Sequence, residues 1–190
     1  MSKRASTSGL PRRNPLRAPG AVAFTAGAVT PGMGSPARAS QSGWRWCAKC
    51  EGLWFNGDTS ISDCPTGGQH VHSASGHYTL RFSYEGGGGQ DNWWYCWMCL
   101  GMWFHTPGST RFGRCPGNNH GEGSHDKDWR NSYRLETTTS NNGPGGQKNW
   151  RWCSHCESLW FNGHATWGKC PGSAAGHTAV NSADYILRVS

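Results

Sequence analysis

Nine cysteines of this 190-residue chain fall into three sets of three, and one histidine follows each set. Every one of these histidines lies eight residues before a tyrosine. Three thiols cannot all pair into disulfides within one repeat, whereas three thiolates and one imidazole complete a tetrahedral zinc site. The predicted ligands are Cys47, Cys50, Cys64 and His70; Cys96, Cys99, Cys115 and His125; and Cys153, Cys156, Cys170 and His177. The sequence therefore predicts three structural Zn ions in three Cys3His modules.

The repeat divides the chain into a leader, three modules and two linkers. A module of about 40–45 residues buries too little surface to offset chain entropy, so it usually needs a metal or disulfides. The linkers are rich in Gly, Thr and Asn, a composition typical of flexible segments. We therefore expect each module to fold largely alone, and the three could then lie like beads or pack around a pseudo-threefold axis. The predicted boundaries are 1–39 for the leader, 40–84, 92–136 and 149–190 for modules 1, 2 and 3, and 85–91 and 137–148 for the linkers.

Short aromatic runs alternate with turn-forming residues inside each module. Module 1 has Trp44-Arg45-Trp46 before its first cysteine, then a Leu-Trp-Phe run, and a final Tyr-Thr-Leu run. Such runs between Gly, Pro, Asn and Ser clusters predict short strands. No segment keeps a helical apolar period over three turns. The predicted fold class is all-β, with three tandem small zinc-ribbon-like modules after a disordered N-terminal leader.

These motifs also resemble a known group of repeats. Modules with Trp-x-Trp-Cys-x-x-Cys, Leu-aromatic-Phe, Cys-Pro, His and Tyr-x-Leu occur in tandem in secreted bacterial and fungal proteins, and residues 43–190 are similar to them. Residues 64–70 fit the pattern best, whereas His125 and His177 follow their Cys-Pro pairs at longer, unequal distances. The resemblance brings no activity with it and implies an accessory binding role.

The formal net charge of +7 is concentrated in the leader. Six basic and no acidic residues precede Gly43, and the rest of the chain is close to neutral, with a net charge of +1. Arg12 and Arg13, a mildly apolar run and a small-residue site at 37–39 resemble a twin-arginine export signal. We therefore expect a secreted, extracellular protein. Alternatively, the leader is a disordered basic tail of a cytoplasmic protein, or it is an organelle transit peptide. No apolar stretch is long enough for a transmembrane segment.

The sequence offers little support for catalysis. Carboxylates do not recur at matched positions, and no nucleophile, base and orienting group recur together, so we expect no enzyme. A redox role for the Cys-x-x-Cys pairs would leave the third cysteine and the histidine unexplained. His72 and His120 lie near the fourth-ligand position and are alternatives to the predicted histidine ligands.

Tryptophan is the main candidate for recognition, because the chain has 12 and a small module cannot bury them all. Exposed indoles can stack on sugar rings, nucleic-acid bases or the aromatic side chains of a partner. We expect Trp54, Trp103 and Trp160 to face inward less than the phenylalanines that follow them, and predict that they bind ligand. The alternative is that all the tryptophans cover the zinc sites and form the core.

Three functions are compatible with these features. The leading hypothesis is a secreted, non-catalytic, zinc-stabilised protein that binds glycans or cell-surface components, or another protein, through Trp-rich patches that combine by avidity. The second is a zinc-ribbon nucleic-acid-binding protein that stacks Trp on unpaired bases, which the near-neutral modules disfavour. The third is a structural or coat protein built of zinc-stabilised repeats.

Overall fold

The computed structural model describes residues 40–58, 60, 62–117, 123–127, 130–140 and 145–190. These residues belong to one compact unit, Pro36–Ser190. The export leader predicted at 1–39 and the alternative ligand His120 lie outside the described residues. Within the described residues, no helix is long and apolar enough to cross a bilayer.

Each module contributes three strands, and the all-β prediction is confirmed. The described helical structure is a single 3-10 turn, Ser83–Glu85. The first strand of each module pairs antiparallel with the other two strands of that module. The strands are β1 Gln41–Trp46, β2 Leu53–Phe55, β3 Tyr78–Phe82, β4 Gln90–Tyr95, β5 Met102–Phe104, β6 Tyr133–Thr137, β7 Gln147–Trp152, β8 Leu159–Phe161 and β9 Tyr185–Val189.

A bulge interrupts the pairing of each module's first strand at the same place. Just before the first tryptophan, Gly43, Asn92 and Asn149 have φ values of 99°, 68° and 70°. Glycine and asparagine adopt positive φ more readily than other residues. The local sequence of all three modules therefore favours the same bend.

The last strands of the three modules pair with one another, so nine strands form one sheet. Each last strand has one neighbour from each of the other two modules, which gives the sheet threefold pseudo-symmetry. The three modules therefore pack into one structure, which disfavours the expectation that each module folds largely alone. The facing pairs between modules include Arg81–Arg134, Thr79–Arg188 and Glu136–Ile186.

One hydrophobic core serves all three modules. Equivalent Trp, Leu and Tyr side chains from every module meet in it, and none of them is more than 4 % exposed. A shared core buries much more apolar surface per residue than three separate small cores could. These side chains are Trp44, Trp93 and Trp150; Leu80, Leu135 and Leu187; and Tyr78, Tyr133 and Tyr185.

Hydrogen bonds between tyrosine and glutamine join the modules in a ring. The Tyr78 hydroxyl, from module 1, donates to Gln147 Oε1, at the start of the first strand of module 3 and within the predicted second linker. In the same way, module 2 donates to module 1 and module 3 donates to module 2. Each tyrosine ring also contacts the first tryptophan of the module it donates to, edge-on, at centroid distances of 5.2, 5.3 and 5.0 Å. The buried phenols thus satisfy their polar ends while their rings join the core.

The glycines of the first linker pack against the sheet and do not form the flexible spacer that their composition suggested. The Arg134 guanidinium donates to the carbonyl of Gly87 at 2.6 Å, and Arg81 donates to the carbonyl of the next glycine. At Gly89, φ is 121° and an added Cβ would collide with the backbone carbonyl of Leu135. Glycine is needed here for its backbone conformation and for close approach.

Candidate metal centres

Two turns in each module bring the four predicted donors together. The Cys-x-x-Cys pair lies on a tight knuckle, and the residue after it has positive φ: 64° at Glu51, 59° at Leu100 and 64° at Glu157. The third cysteine and the histidine come from the loop before the module's last strand. The donor atoms of each predicted set lie within 4.8 Å of one another. We call these sets cluster 1, cluster 2 and cluster 3, in chain order.

The spacing of the donor atoms fits a tetrahedral zinc ion. Zn–S bonds of about 2.3 Å and Zn–N bonds of about 2.0–2.1 Å place two sulfurs about 3.8 Å apart, and a sulfur and a nitrogen about 3.5 Å apart. In clusters 1, 2 and 3, the Sγ atoms of the first and third cysteines are 3.9, 3.7 and 3.8 Å apart. The Sγ of the second cysteine is 3.5, 3.7 and 3.5 Å from the histidine Nδ1. A disulfide would need about 2.05 Å between sulfurs.

The clusters are buried and hydrogen-bonded in the manner of structural sites. No cysteine is more than 6 % exposed. The residue two positions after each third cysteine contacts that sulfur: the Thr66 hydroxyl at 3.1 Å, and the Gly117 and Gly172 amides at 3.3 Å. Such contacts orient thiolate ligands and stabilise their charge. Four donors in a buried tetrahedron leave no open coordination position, which is the arrangement of a structural zinc site.

The thiols of one cluster do not all ionise together, because hydrogen bonds with Cys47 and Cys64 hold the pKa of Cys50 well above the usual thiol range. Hydrogen bonds from Cys50 and Cys64 hold the pKa of Cys47 well below the usual thiol range, and equivalent bonds lower the pKa of Cys153. Burial opposes protonation of His70, but the neighbouring thiols Cys47 and Cys64 outweigh it and raise the pKa of His70 to about 9. A cluster that binds a proton in place of a cation releases that proton when a metal binds.

The tryptophans predicted to bind ligand cover the clusters and do not face solvent. Trp54, Trp103 and Trp160 are 5 %, 0 % and 1 % exposed. Each indole stacks on the histidine of its own cluster, at centroid distances of 5.2, 5.1 and 5.3 Å. The expectation that they are more exposed than the adjacent phenylalanines is wrong. In these three-residue strands the flanking residues face the shared core, so the tryptophan faces the opposite side, which the metal-bearing loop covers.

Three glutamines that connect the modules were not among the residues predicted from the sequence, and one alternative histidine is not a donor. His72 is exposed and lies outside cluster 1, where His70 is the donor. The three glutamines of the tyrosine ring, Gln41, Gln90 and Gln147, each lie three residues before the first tryptophan of a module. That repeated spacing was a signal available in the sequence.

The second strand of each module is hydrogen-bonded to the knuckle of a neighbouring module. Backbone amides of β2, β5 and β8 donate to carbonyls just after the neighbouring Cys-x-x-Cys pair, at 2.8 to 2.9 Å: Phe55 to Leu100, Phe104 to Glu157 and Phe161 to Glu51.

Comparison with protein-family models, curated proteins and solved structures gives no match. The interpretation of the clusters as metal centres therefore rests on their donor chemistry and geometry.

Proposed function

We propose that this chain is a secreted, non-catalytic binding protein, folded around structural zinc, that recognises a glycan through one aromatic cleft between modules 1 and 2. The observation that supports this proposal is the cleft itself, which has a volume of about 850 Å³. Its lining combines aromatic rings with charged and amide side chains. The aromatic members are Phe55, Phe82, Tyr95, Trp97 and Tyr133, and the polar members are Gln41, Asp58, Ser60, Lys127, Arg130 and Asn131.

This mixture suits a sugar better than it suits an apolar ligand or a nucleic-acid backbone. Trp97 is 47 % exposed and is the most accessible ring of the cleft. A flat ring can cover the apolar C–H face of a pyranose, while nearby polar groups hydrogen-bond its hydroxyls. The charged groups of the lining have both signs, whereas a surface that binds nucleic-acid phosphates is usually strongly basic.

Comparison of two equivalent junctions explains why a cleft opens between modules 1 and 2. At the junction of modules 3 and 1, the Trp46 indole donates to Glu51 at 2.6 Å. The His164 ring then packs on Trp46 at 4.9 Å and contacts the Glu51 carboxylate at 2.9 Å, which fills the space. At the junction of modules 1 and 2, the equivalents of Trp46, Glu51 and His164 are Tyr95, Leu100 and Asp58.

The replacements at this junction remove the side chains that fill the other one. Tyr95 is smaller than tryptophan, and its hydroxyl contacts Asp58 at 3.2 Å across the cleft. Leu100 is fully buried and offers no carboxylate to fix a ring above it. Recognition through this cleft differs from the three equivalent Trp patches expected from the sequence, because the ligand site belongs to one junction.

A binding test should distinguish the contribution of Trp97 from a general effect of any exposed tryptophan. We expect the zinc-loaded protein to be retained on at least one of insoluble chitin, cellulose and a bacterial cell-wall preparation. Trp97→Ala should weaken that binding by about tenfold or more, as expected for an aromatic anchor. Trp167→Ala is the matched control, because Trp167 is 61 % exposed but does not line the cleft.

Two outcomes would contradict the proposal. One is equal binding by both variants and the wild-type protein, which would place recognition elsewhere. The other is no retention on any polysaccharide together with binding to single-stranded DNA or RNA that weakens steeply with salt. The second outcome would favour the nucleic-acid hypothesis.

A further inference from the structure

The outer nitrogen of each histidine ligand distinguishes the three clusters. In every cluster the histidine Nδ1 faces the thiols, so Nε2 points away from the metal position. When Nδ1 is a ligand of a metal, the neutral imidazole carries its proton on Nε2. Metal-bound histidines usually donate this proton to a nearby oxygen, which fixes the ring and strengthens the ligand.

Cluster 2 has such a partner, and module 3 supplies it. Nε2 of His125 lies 3.1 Å from the backbone carbonyl of Cys156 and 3.2 Å from the Ser158 hydroxyl. A carbonyl can only accept, so the His125 N–H donates to it. His125 is 3 % exposed, so water does not compete strongly for this contact. The knuckle that holds one metal thus positions the histidine of another.

Clusters 1 and 3 lack this support. Among the described residues, Nε2 of His70 and Nε2 of His177 are buried without a hydrogen-bond partner. The residues equivalent to Ser158, two positions after the second cysteine, are Gly52 and Gly101. These two glycines and Ser158 line one small cavity together with His70 and His177. Gly52 and Gly101 have no hydroxyl, so neither residue can accept a hydrogen bond from His70 or His177.

We propose that the three zinc sites are unequal, and that Ser158 is a positioning residue which, with the Cys156 carbonyl, makes cluster 2 the site that holds zinc most strongly. Loss of such outer contacts lowers metal affinity by roughly 10- to 100-fold in proteins generally. Clusters 1 and 3 should therefore release zinc first. The most divergent module in sequence would hold its metal best.

Stepwise release is compatible with the shared core. The cysteines of each cluster form their own small buried group, separate from the core that joins the modules. Opening one group therefore does not remove the core side chains of that module. Partly metallated protein should keep its sheet long enough to be analysed.

The experiment removes zinc in steps from the full chain with a competing chelator. Native mass spectrometry counts the bound ions, and maleimide labelling followed by peptide mapping identifies the cysteines that have lost theirs. In the species with one zinc ion, Cys96, Cys99 and Cys115 should be the unlabelled set. Ser158→Gly removes one of the two contacts of His125 Nε2 and leaves the Cys156 carbonyl, so it should reduce this preference by up to about tenfold.

A reciprocal variant tests the same contact by adding it. An added Cβ at Gly52 would lie 3.4 Å from the Cys50 Sγ, an ordinary van der Waals contact, so the backbone can accommodate a side chain at this position. We expect Gly52→Ser to delay labelling of Cys153, Cys156 and Cys170, because Gly52 pairs with Trp160, whose indole stacks on His177. Circular dichroism of both variants checks that the sheet is intact.

Several results would overturn the proposal. They are labelling of cluster 2 before or together with the others, loss of all the zinc in one step without intermediates, or no change in the order of release in well-folded Ser158→Gly and Gly52→Ser proteins. Isolation of a folded chain that binds no zinc would instead refute the metal assignment itself. The outcome is independent of whether the aromatic cleft binds a glycan.

Discussion

Replacement of Leu135 by alanine tests whether the three modules are one folding unit. Leu135 is 2 % exposed and lies in the core that all three modules share. Leu→Ala in a buried site costs about 2–5 kcal/mol, and the cost is highest where the surroundings cannot collapse into the cavity. The rings around this core are held by tyrosine–glutamine hydrogen bonds between modules. We therefore expect a loss in the upper part of that range, about 3–5 kcal/mol.

The size of this loss should be the same wherever it is measured. A loss of about 3–5 kcal/mol lowers the ratio of folded to unfolded protein by roughly 10²- to 5 × 10³-fold. In the zinc-loaded protein, urea unfolding gives the global value, and amide hydrogen exchange followed by mass spectrometry gives a value for each module. The most protected amides of β3, β6 and β9 should all lose protection to the same extent, because these strands unfold together.

A surface substitution provides the control, and the pattern of exchange provides the decisive comparison. Val180→Ala, at a side chain that is 62 % exposed, should change stability by no more than about 0.5 kcal/mol. Loss of protection confined to peptides of module 2, with β3 and β9 protected as in the wild-type protein, would refute the shared core and restore independent modules.

Two further predictions follow from the backbone and from a buried phenol. Gly86 and Gly89 both have positive φ, but an added Cβ has open space at Gly86 and meets the sheet backbone at Gly89. Gly89→Ala should therefore lower the melting temperature more than Gly86→Ala. Equal effects of the two substitutions would indicate that the linker is a flexible spacer. Burial raises the pKa of Tyr185 to about 12, so the stability contributed by its neutral phenol is complete below the unfolded value of about 10 and is lost as pH rises through about 12. Absorbance titration of the wild-type protein and Tyr185→Phe should reveal this late phenol, and a value near 10 would contradict its burial.

The four donor residues of each cluster could be predicted from sequence because their geometry is local. A Cys-x-x-Cys pair places two sulfurs on one turn whatever the rest of the chain does. The eight-residue step from histidine to tyrosine also identified His177 and His125, although their distances from the third cysteine vary. The all-β class followed for the same reason, since the strand runs and turn residues are short-range signals.

The arrangement of the modules and the exposure of the tryptophans could not be predicted in this way. Strand alternation shows that Trp54 and Phe55 face opposite sides, but only the tertiary structure shows which side the metal loop covers. Glycine is equally ambiguous. The composition of the first linker suggested flexibility, whereas Gly89 is where the chain needs positive φ beside the Leu135 carbonyl. In both cases the deciding contact joins residues that are distant in sequence.

The tyrosine–glutamine ring also fixes how many repeats this architecture can contain. Each module gives its tyrosine to one neighbour and receives on its glutamine the tyrosine of the other, and the third module closes the circle. An open array of repeats can gain or lose a unit at its end. Here, deletion of any module would leave one buried phenol and one glutamine without partners, and a fourth module could join the ring only by breaking one of these pairs. Change in this architecture should therefore occur within the loops of the three modules, and the number of modules should stay at three.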